Sequence, residues 1–283
     1  MTFDVKRLPR SLVQAYAEKR CAVFVGAGAS QAAGYPGWKD FLELLVDRCV
    51  EENRLNEDEA QSYRNLVGVA GKQLTLASAL KDKLGDVWDL VISEMFYDDH
   101  KKPAAVHKLL PKLTNLSMVI TTNYDTLLED NYANGRPPKV LTFSDGGEMR
   151  RLMLQRQFFI LKAHGDAAKP GNGIILTIND YRGLARERAY QSLLASIFTL
   201  NTVLFIGVSL NDPELLVMLD YLADTFEPGS RPIHYALIAE EEINPVEKER
   251  WLKDYLIQIV PISSANNYAD VPGAIEALMN SVK

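Results

Sequence analysis

Short, continuously apolar runs alternate along this chain with stretches whose apolar residues recur at helical spacing. Cys21 to Val25 is apolar throughout and stopped by glycines, the mark of a strand covered on both faces. Runs of the same kind lie at Met118 to Thr121, Val140 to Phe143, Phe158 to Leu161, Ile174 to Thr177, Val203 to Gly207, His234 to Ile238 and Leu256 to Val260. A polar helix over Ser11 to Arg20 leads into the first strand. Trp38, Phe41, Leu42, Leu45, Val46 and Cys49 then repeat on one face of a helix over Trp38 to Val50, and a closing helix covers Val271 to Val282.

Residues 51–113 carry no convincing strand. Asn56 to Val69, Leu74 to Lys83, Val87 to Phe96 and Ala104 to Leu110 read as short helices with polar joints, so this stretch is expected to be a helical insertion within a single domain spanning 1–283. Strands alternating with helices need crossover connections, and strands apolar on both faces need both faces covered. The pattern therefore predicts an α/β, Rossmann-like doubly wound fold with a mostly parallel sheet, whose ligand edge is the C-terminal end of the strands.

Composition narrows the function classes. A chain of 283 residues with 47% hydrophobic content can fill a sizeable core. Its formal net charge of −6 argues against a generally basic surface, so no direct nucleic-acid binding is expected. There is no apolar stretch of about 18 residues, and Met1 to Arg10 is polar, which predicts a soluble, cytoplasmic protein without a membrane partner. Cys21 and Cys49 are the only cysteines; they are expected to be ordinary reduced thiols, and no metal site is expected.

Four segments, each following a predicted strand, look together like a nicotinamide dinucleotide site: Gly26-Ala27-Gly28-Ala29-Ser30, Thr121-Thr122-Asn123-Tyr124-Asp125, His164-Gly165-Asp166 and Gly207-Val208-Ser209. The first turn lets a backbone approach a pyrophosphate. An ordinary dehydrogenase is disfavoured, because Gln31 stands where a third glycine belongs and no acidic residue ends a second strand about 20 residues on. The Asn123 amide can donate and accept at once toward a ribose hydroxyl or a water, while Asp125 can cap the helix that follows. His164, with Gly165 expected to leave one side of its ring open, is the general-base candidate. His100, His107 and His234 read as surface or packing residues. Ser209 offers a hydroxyl to a cofactor or to its own turn, and Asn211 or Asp212 reads as a cap before Pro213. Gly34 to Trp38 forms either a ligand-covering loop or a rigid connection.

Those segments, in that order, resemble the sirtuin-like family, whose sites use Gly-Ala-Gly-x-Ser, Thr-Gln-Asn-x-Asp, His-Gly and a late Gly-x-Ser. The resemblance implies NAD+ as the ligand. Gly26, Ala27, Gly28 and Ser30 would serve the pyrophosphate side, Asn123 and Asp125 the nicotinamide ribose, His164 would be the base, and Gly207 and Ser209 would hold the adenosine half. The zinc cysteines of the deacylase members are missing between Pro170 and Asn201, the loop from Gly34 to Lys39 lacks their arginine, and Thr122 replaces their glutamine. The pattern looks like the zinc-lacking prokaryotic branch that hydrolyses NAD+ to nicotinamide and ADP-ribose in anti-phage defence by abortive infection. That branch implies control by assembly: a homo-oligomer, with a HerA-type hexameric ATPase or another defence protein as partner. A protein deacylase or ADP-ribosyltransferase and a non-catalytic NAD-sensing module are the alternatives.

Overall fold

A computed structural model of the chain describes residues 3–97, 100–132, 137–169, 171, 173–210, 213–225 and 233–282. Seven strands, β1 (Cys21–Val25), β2 (Leu116–Thr121), β3 (Lys139–Thr142), β4 (Phe159–Lys162), β5 (Thr202–Ile206), β6 (His234–Ala239) and β7 (Ile257–Ile262), form one sheet in the order β3-β4-β2-β1-β5-β6-β7. Every adjacent pair is parallel. The strand order reverses at β1, which lies between β2 and β5, so the turns after β1, β2 and β5 meet at the topological switch point.

The side-chain period of two explains why β1 reads as continuously apolar. Cys21, Val23 and Val25 enter a core on one face with Val119, Leu204 and Val260, while Ala22 and Phe24 enter a second core with Ile120, Phe205 and Phe159. Burial raises the Cys21 thiol pKa to about 12 and the Cys49 pKa to about 11, so both stay protonated at neutral pH and serve as packing atoms.

Between β1 and β2 the described residues hold helices and no strand. The helix Glu57–Val67 starts at Asn56, whose side chain accepts the Glu59 N–H while Glu59 accepts the Asn56 N–H. The helix Gln73–Leu84 stops at Gly85, whose φ of 54° suits a residue without Cβ. With Trp38–Glu51 and Trp88–Phe96 these helices enclose a third core containing Phe41, Leu45, Leu80 and Ile92. That core also takes in Leu127 from the start of the helix Leu127–Tyr132 and Ala167, Ile174 and Leu176 from loops beyond the strand ends. Apolar burial of this kind, about 1.5–3 kcal/mol per large side chain, seats the helices over the C-terminal edge of the sheet.

The run Ile174 to Thr177 is not the strand expected from its sequence. All four residues are buried, but in an irregular segment. Its amides are satisfied individually: Ile175 N–H donates to the His164 carbonyl, and Leu176 and Thr177 N–H donate to Asp180 Oδ2. An apolar run needs cover, which the helical core supplies here without a neighbouring strand. No helix among the described residues is long and apolar enough to cross a membrane.

Candidate functional site

The turns after β1 and β5 are in backbone contact. Gly26 N–H donates to the Ile206 carbonyl and Gly28 N–H to the Gly207 carbonyl, both at 2.9 Å. A Cβ on Gly26 would lie 2.5 Å from the Gly207 oxygen, and one on Gly28 would lie 3.0 Å from the Gly207 Cα. The two glycines are therefore demanded first by the close approach of another turn. Ala27 opens the short helix Ala27–Gln31, and among the described residues its N–H has no backbone partner, as expected for the first amide of a helix.

Asn123 leaves the end of β2 in a conformation set by Thr121, whose hydroxyl donates to the Val25 carbonyl and accepts the Asn123 N–H. The Asn123 side chain is buried, and both its amide hydrogens are taken: Nδ2 donates to the Gly26 carbonyl at 3.0 Å and to Ser30 Oγ at 2.8 Å. Ser30 in turn donates to Asp125 Oδ2 at 2.5 Å, while Asp125 Oδ1 accepts the Leu127 N–H at 3.0 Å. Simultaneous donation and acceptance by Asn123 is thus ruled out in this arrangement. What the amide keeps for a ligand is its Oδ1, an acceptor. Asp125 is committed on both oxygens, as a cap for the helix Leu127–Tyr132 and as the anchor of Ser30.

Ser30 and Asp125 therefore belong to one network with Asn123, joining the first and second motifs. His164 stands two residues beyond β4 and is only 2% exposed, with its ring edge-on to Tyr181 at 5.3 Å between centroids. Gly165 does not leave the ring open as expected. Its φ of 93° brings the turn against Gly173, whose oxygen would be 2.3 Å from a Cβ at this position. Gly207 has φ 63° and Ser209 is exposed, while the cap expected at Asn211 or Asp212 lies outside the described residues. In the loop before the helix Trp38–Glu51, Tyr35 is buried, while Trp38, the first residue of that helix, stacks on Phe41 and is 41% exposed. A cavity of about 400 Å³, lined by Trp88, Phe143, Ile175, Asp180, Leu184 and Glu187, lies one backbone segment beyond His164 and includes none of the expected site residues. Among the described residues no group of three or more His, Cys, Asp or Glu could hold a metal ion.

One buried group here has no assignment from the sequence, and a second is more deeply buried than its pattern implies. Lys162 sits beneath the Asn123 loop; its signal was a lysine closing an otherwise apolar strand just before His-Gly. His107, expected at the surface or in simple packing, is fully buried, its Nδ1 accepting the Ala104 N–H at 3.1 Å and its Nε2 without a hydrogen-bond partner. Burial lowers the His107 pKa from the usual 6.5, against the opposing pull of the Asp125 charge. The unfolded chain binds this proton near pH 6.5 and the native state refuses it, so stability is present above that pH and is lost as pH falls below it. His107→Gln keeps an acceptor for Ala104 but cannot titrate. It is expected to flatten the decline of Tm between pH 6.5 and 5, and a decline as steep as wild type would assign the effect to another group.

The family model described as SIR2-like domain matches residues 117–260, half of the chain. A protein named NAD(+) hydrolase ThsA from Bacillus cereus (strain MSX-D12) is 24% identical over 280 residues, covering 94% of this chain and 55% of that protein. A second NAD(+) hydrolase ThsA, from Acinetobacter baumannii (strain 532279), is 30% identical over 227 residues, covering 80% of this chain and 44% of its own length. Defense-associated sirtuin 2 of Bacillus subtilis is 25% identical over 233 residues, 80% of this chain and 21% of that protein. The chain spans about half the length of the two hydrolases.

Proposed function

The chain belongs to the SIR2-like family, and from that membership we propose that it hydrolyses NAD+ at the nicotinamide–ribose bond, giving nicotinamide and ADP-ribose, in anti-phage defence by abortive infection. The observation that carries the reading is the Asn123 amide, whose donors are held by Gly26 and Ser30 while its oxygen is left as an acceptor at the strand edge that also carries His164. The printed names of the relatives, NAD(+) hydrolase and defence-associated sirtuin, support the same chemistry.

In this reading Gly26, Ala27, Gly28, Gly207 and Ser209 bind the dinucleotide, with the Ala27 N–H toward a phosphate oxygen. Asn123 Oδ1 accepts a hydrogen bond from a ribose hydroxyl or from water, fixing its oxygen lone pair toward the anomeric carbon. The glycosidic bond breaks with its electron pair passing to the pyridinium nitrogen, so nicotinamide leaves neutral through an oxocarbenium-like state. Water adds to the anomeric carbon and its proton passes to His164, then to solvent. Asp125 acts through Ser30, holding the amide that touches substrate. Because His164 and Asn123 are buried, turnover requires the edge to open.

A chain that destroys NAD+ must be restrained in its host. We place that restraint in assembly, as a homo-oligomer with a HerA-type hexameric ATPase or another defence protein as partner, acting in the cytoplasm. The deciding experiment follows nicotinamide and ADP-ribose formed from NAD+ by the purified chain, alone and with its genomic-neighbour proteins. Equimolar nicotinamide and ADP-ribose is the expected result. With an acylated peptide present, acyl transfer to ADP-ribose that outruns hydrolysis would move the reading to a deacylase, ADP-ribose attached to a side chain would move it to a transferase, and saturable binding without release in any assembly would move it to an NAD sensor.

A further inference from the structure

Lys162, the last residue of β4, is paired in register with Thr121 of β2 and Thr142 of β3, and its side chain is 0% exposed. Its Nζ lies 2.8 Å from the Asp125 carbonyl, 3.2 Å from the Tyr124 carbonyl, 2.7 Å from Glu129 Oε1 and 2.8 Å from Asp166 Oδ1. An ammonium has three protons, so four acceptors take up its whole donor capacity and nothing is left for a substrate. The acceptors come from three places: the turn that follows Asn123, the helix Leu127–Tyr132, and the turn that follows His164. Asp166 Oδ1 also accepts the Ala168 N–H, which fixes the second turn in its own right.

We propose that Lys162 is a positioning residue, whose ammonium, steadied by Glu129 and Asp166, clamps the carbonyls of Tyr124 and Asp125 and so holds the Asn123 amide and the His164 turn in one fixed relation. This rests on the reading of the edge as a site of NAD+ cleavage. The cluster is a poor device for stability. One cation faces two carboxylates, Glu129 Oε2 is buried without a hydrogen-bond partner, and apolar side chains of similar volume would fill the space without taking charges out of water. Apolar groups could not grip two carbonyl oxygens, whereas an ammonium can. The cluster also spans the two motifs that must cooperate: Asn123 follows β2, His164 follows β4, and backbone bonds from the Ala163 N–H to the Thr121 carbonyl and from the Ala167 N–H to the Tyr124 carbonyl run between the same two segments.

Lys162→Met alone would leave two buried carboxylates unpaired and is expected to fold poorly. The informative variant is Lys162→Met with Glu129→Gln and Asp166→Asn, which removes all three charges together. Its kcat for nicotinamide release is expected to fall about a hundredfold with KM within about threefold, because a misplaced amide affects the transition state more than dinucleotide binding. Amide hydrogen exchange is expected to quicken in peptides covering residues 121–130 and 163–168 while β1 and β5 keep wild-type protection. An unchanged kcat with unchanged exchange would overturn the proposal, and so would quickened exchange across the whole sheet, which would make the cluster a general support. If the wild-type chain binds NAD+ but releases no nicotinamide, the cleavage reading fails, and local quickening at 121–130 and 163–168 still decides whether Lys162 clamps these turns.

Discussion

Replacing His164 with glutamine is expected to slow nicotinamide release from NAD+ by about 10²–10⁴-fold, the usual contribution of a positioned general base. Glutamine fills most of the space beside Tyr181, so the loss is one of proton acceptance and not of packing. The companion change, Asn123→Ala, is expected to reduce kcat by about a hundredfold or more, because water or ribose hydroxyl loses the acceptor that orients it. It also removes one of the two donors to the Gly26 carbonyl, which keeps the Ala29 N–H, and the donor to Ser30 Oγ, at a cost of about 1 kcal/mol per bond, so its Tm must be measured beside its kinetics. Asn123→Asp separates the two effects. It keeps the shape, forfeits both N–H donors, and sets a second carboxylate around the hydroxyl that Asp125 already holds. A folded Asn123→Ala or His164→Gln protein that releases nicotinamide at the wild-type rate would remove these residues from the mechanism. Ser30→Ala belongs to the same series with a smaller expected fall in kcat, since Ser30 meets substrate only through Asn123.

The second large effect is expected at Gly207. A Cβ there would lie 2.8 Å from the Ala29 nitrogen, and φ is 63°, a left-handed conformation that disfavours any side chain. Strain of about 1–2 kcal/mol and overpacking of about 1–3 kcal/mol together give a loss of roughly 2–5 kcal/mol for Gly207→Ala. That is a large fraction of the 5–15 kcal/mol by which domains are stable. The Gly28 N–H bond to the Gly207 carbonyl would go with it, so NAD+ affinity should fall even at temperatures where the protein stays folded. Gly147→Ala is the control. Gly147 lies in the helix Gly146–Leu154 with nothing within 4 Å of its would-be Cβ, and alanine there should stabilise by up to about 1 kcal/mol. A Gly207→Ala protein melting at or above the wild-type temperature would mean that the β1 and β5 turns are not in contact in solution.

The strand segments were readable because a strand covered on both faces is largely apolar along its length, as in Cys21 to Val25 and Val203 to Ile206. The turns after β1 and β5 were readable as glycine turns, but the close approach of the Gly26 and Gly28 backbone to Gly207 was not, because it joins segments far apart in sequence. Ile174 to Thr177 has the same apolar signature as a strand. Whether such a run pairs depends on a neighbouring strand with free backbone groups, and here His164, Asp180 and the helical core meet its needs instead.

The one-dimensional pattern by itself determined the α/β class, the helical stretch between β1 and β2, and the identity of Asn123 and His164 as polar groups following strands. These depend on local periodicity and on residue chemistry, which any stretch of chain displays without its neighbours. Only the tertiary structure decided that the Asn123 amide is left as an acceptor, that Asp125 accepts the Ser30 hydroxyl, and that Lys162 is buried beside both motifs. Each of these is a question of which partners fill a group's hydrogen-bonding capacity. Those partners come from segments far apart in sequence, Gly26 with Asn123, Ser30 with Asp125, and Glu129 with Lys162, so their pairing exists only once the sheet has brought them together.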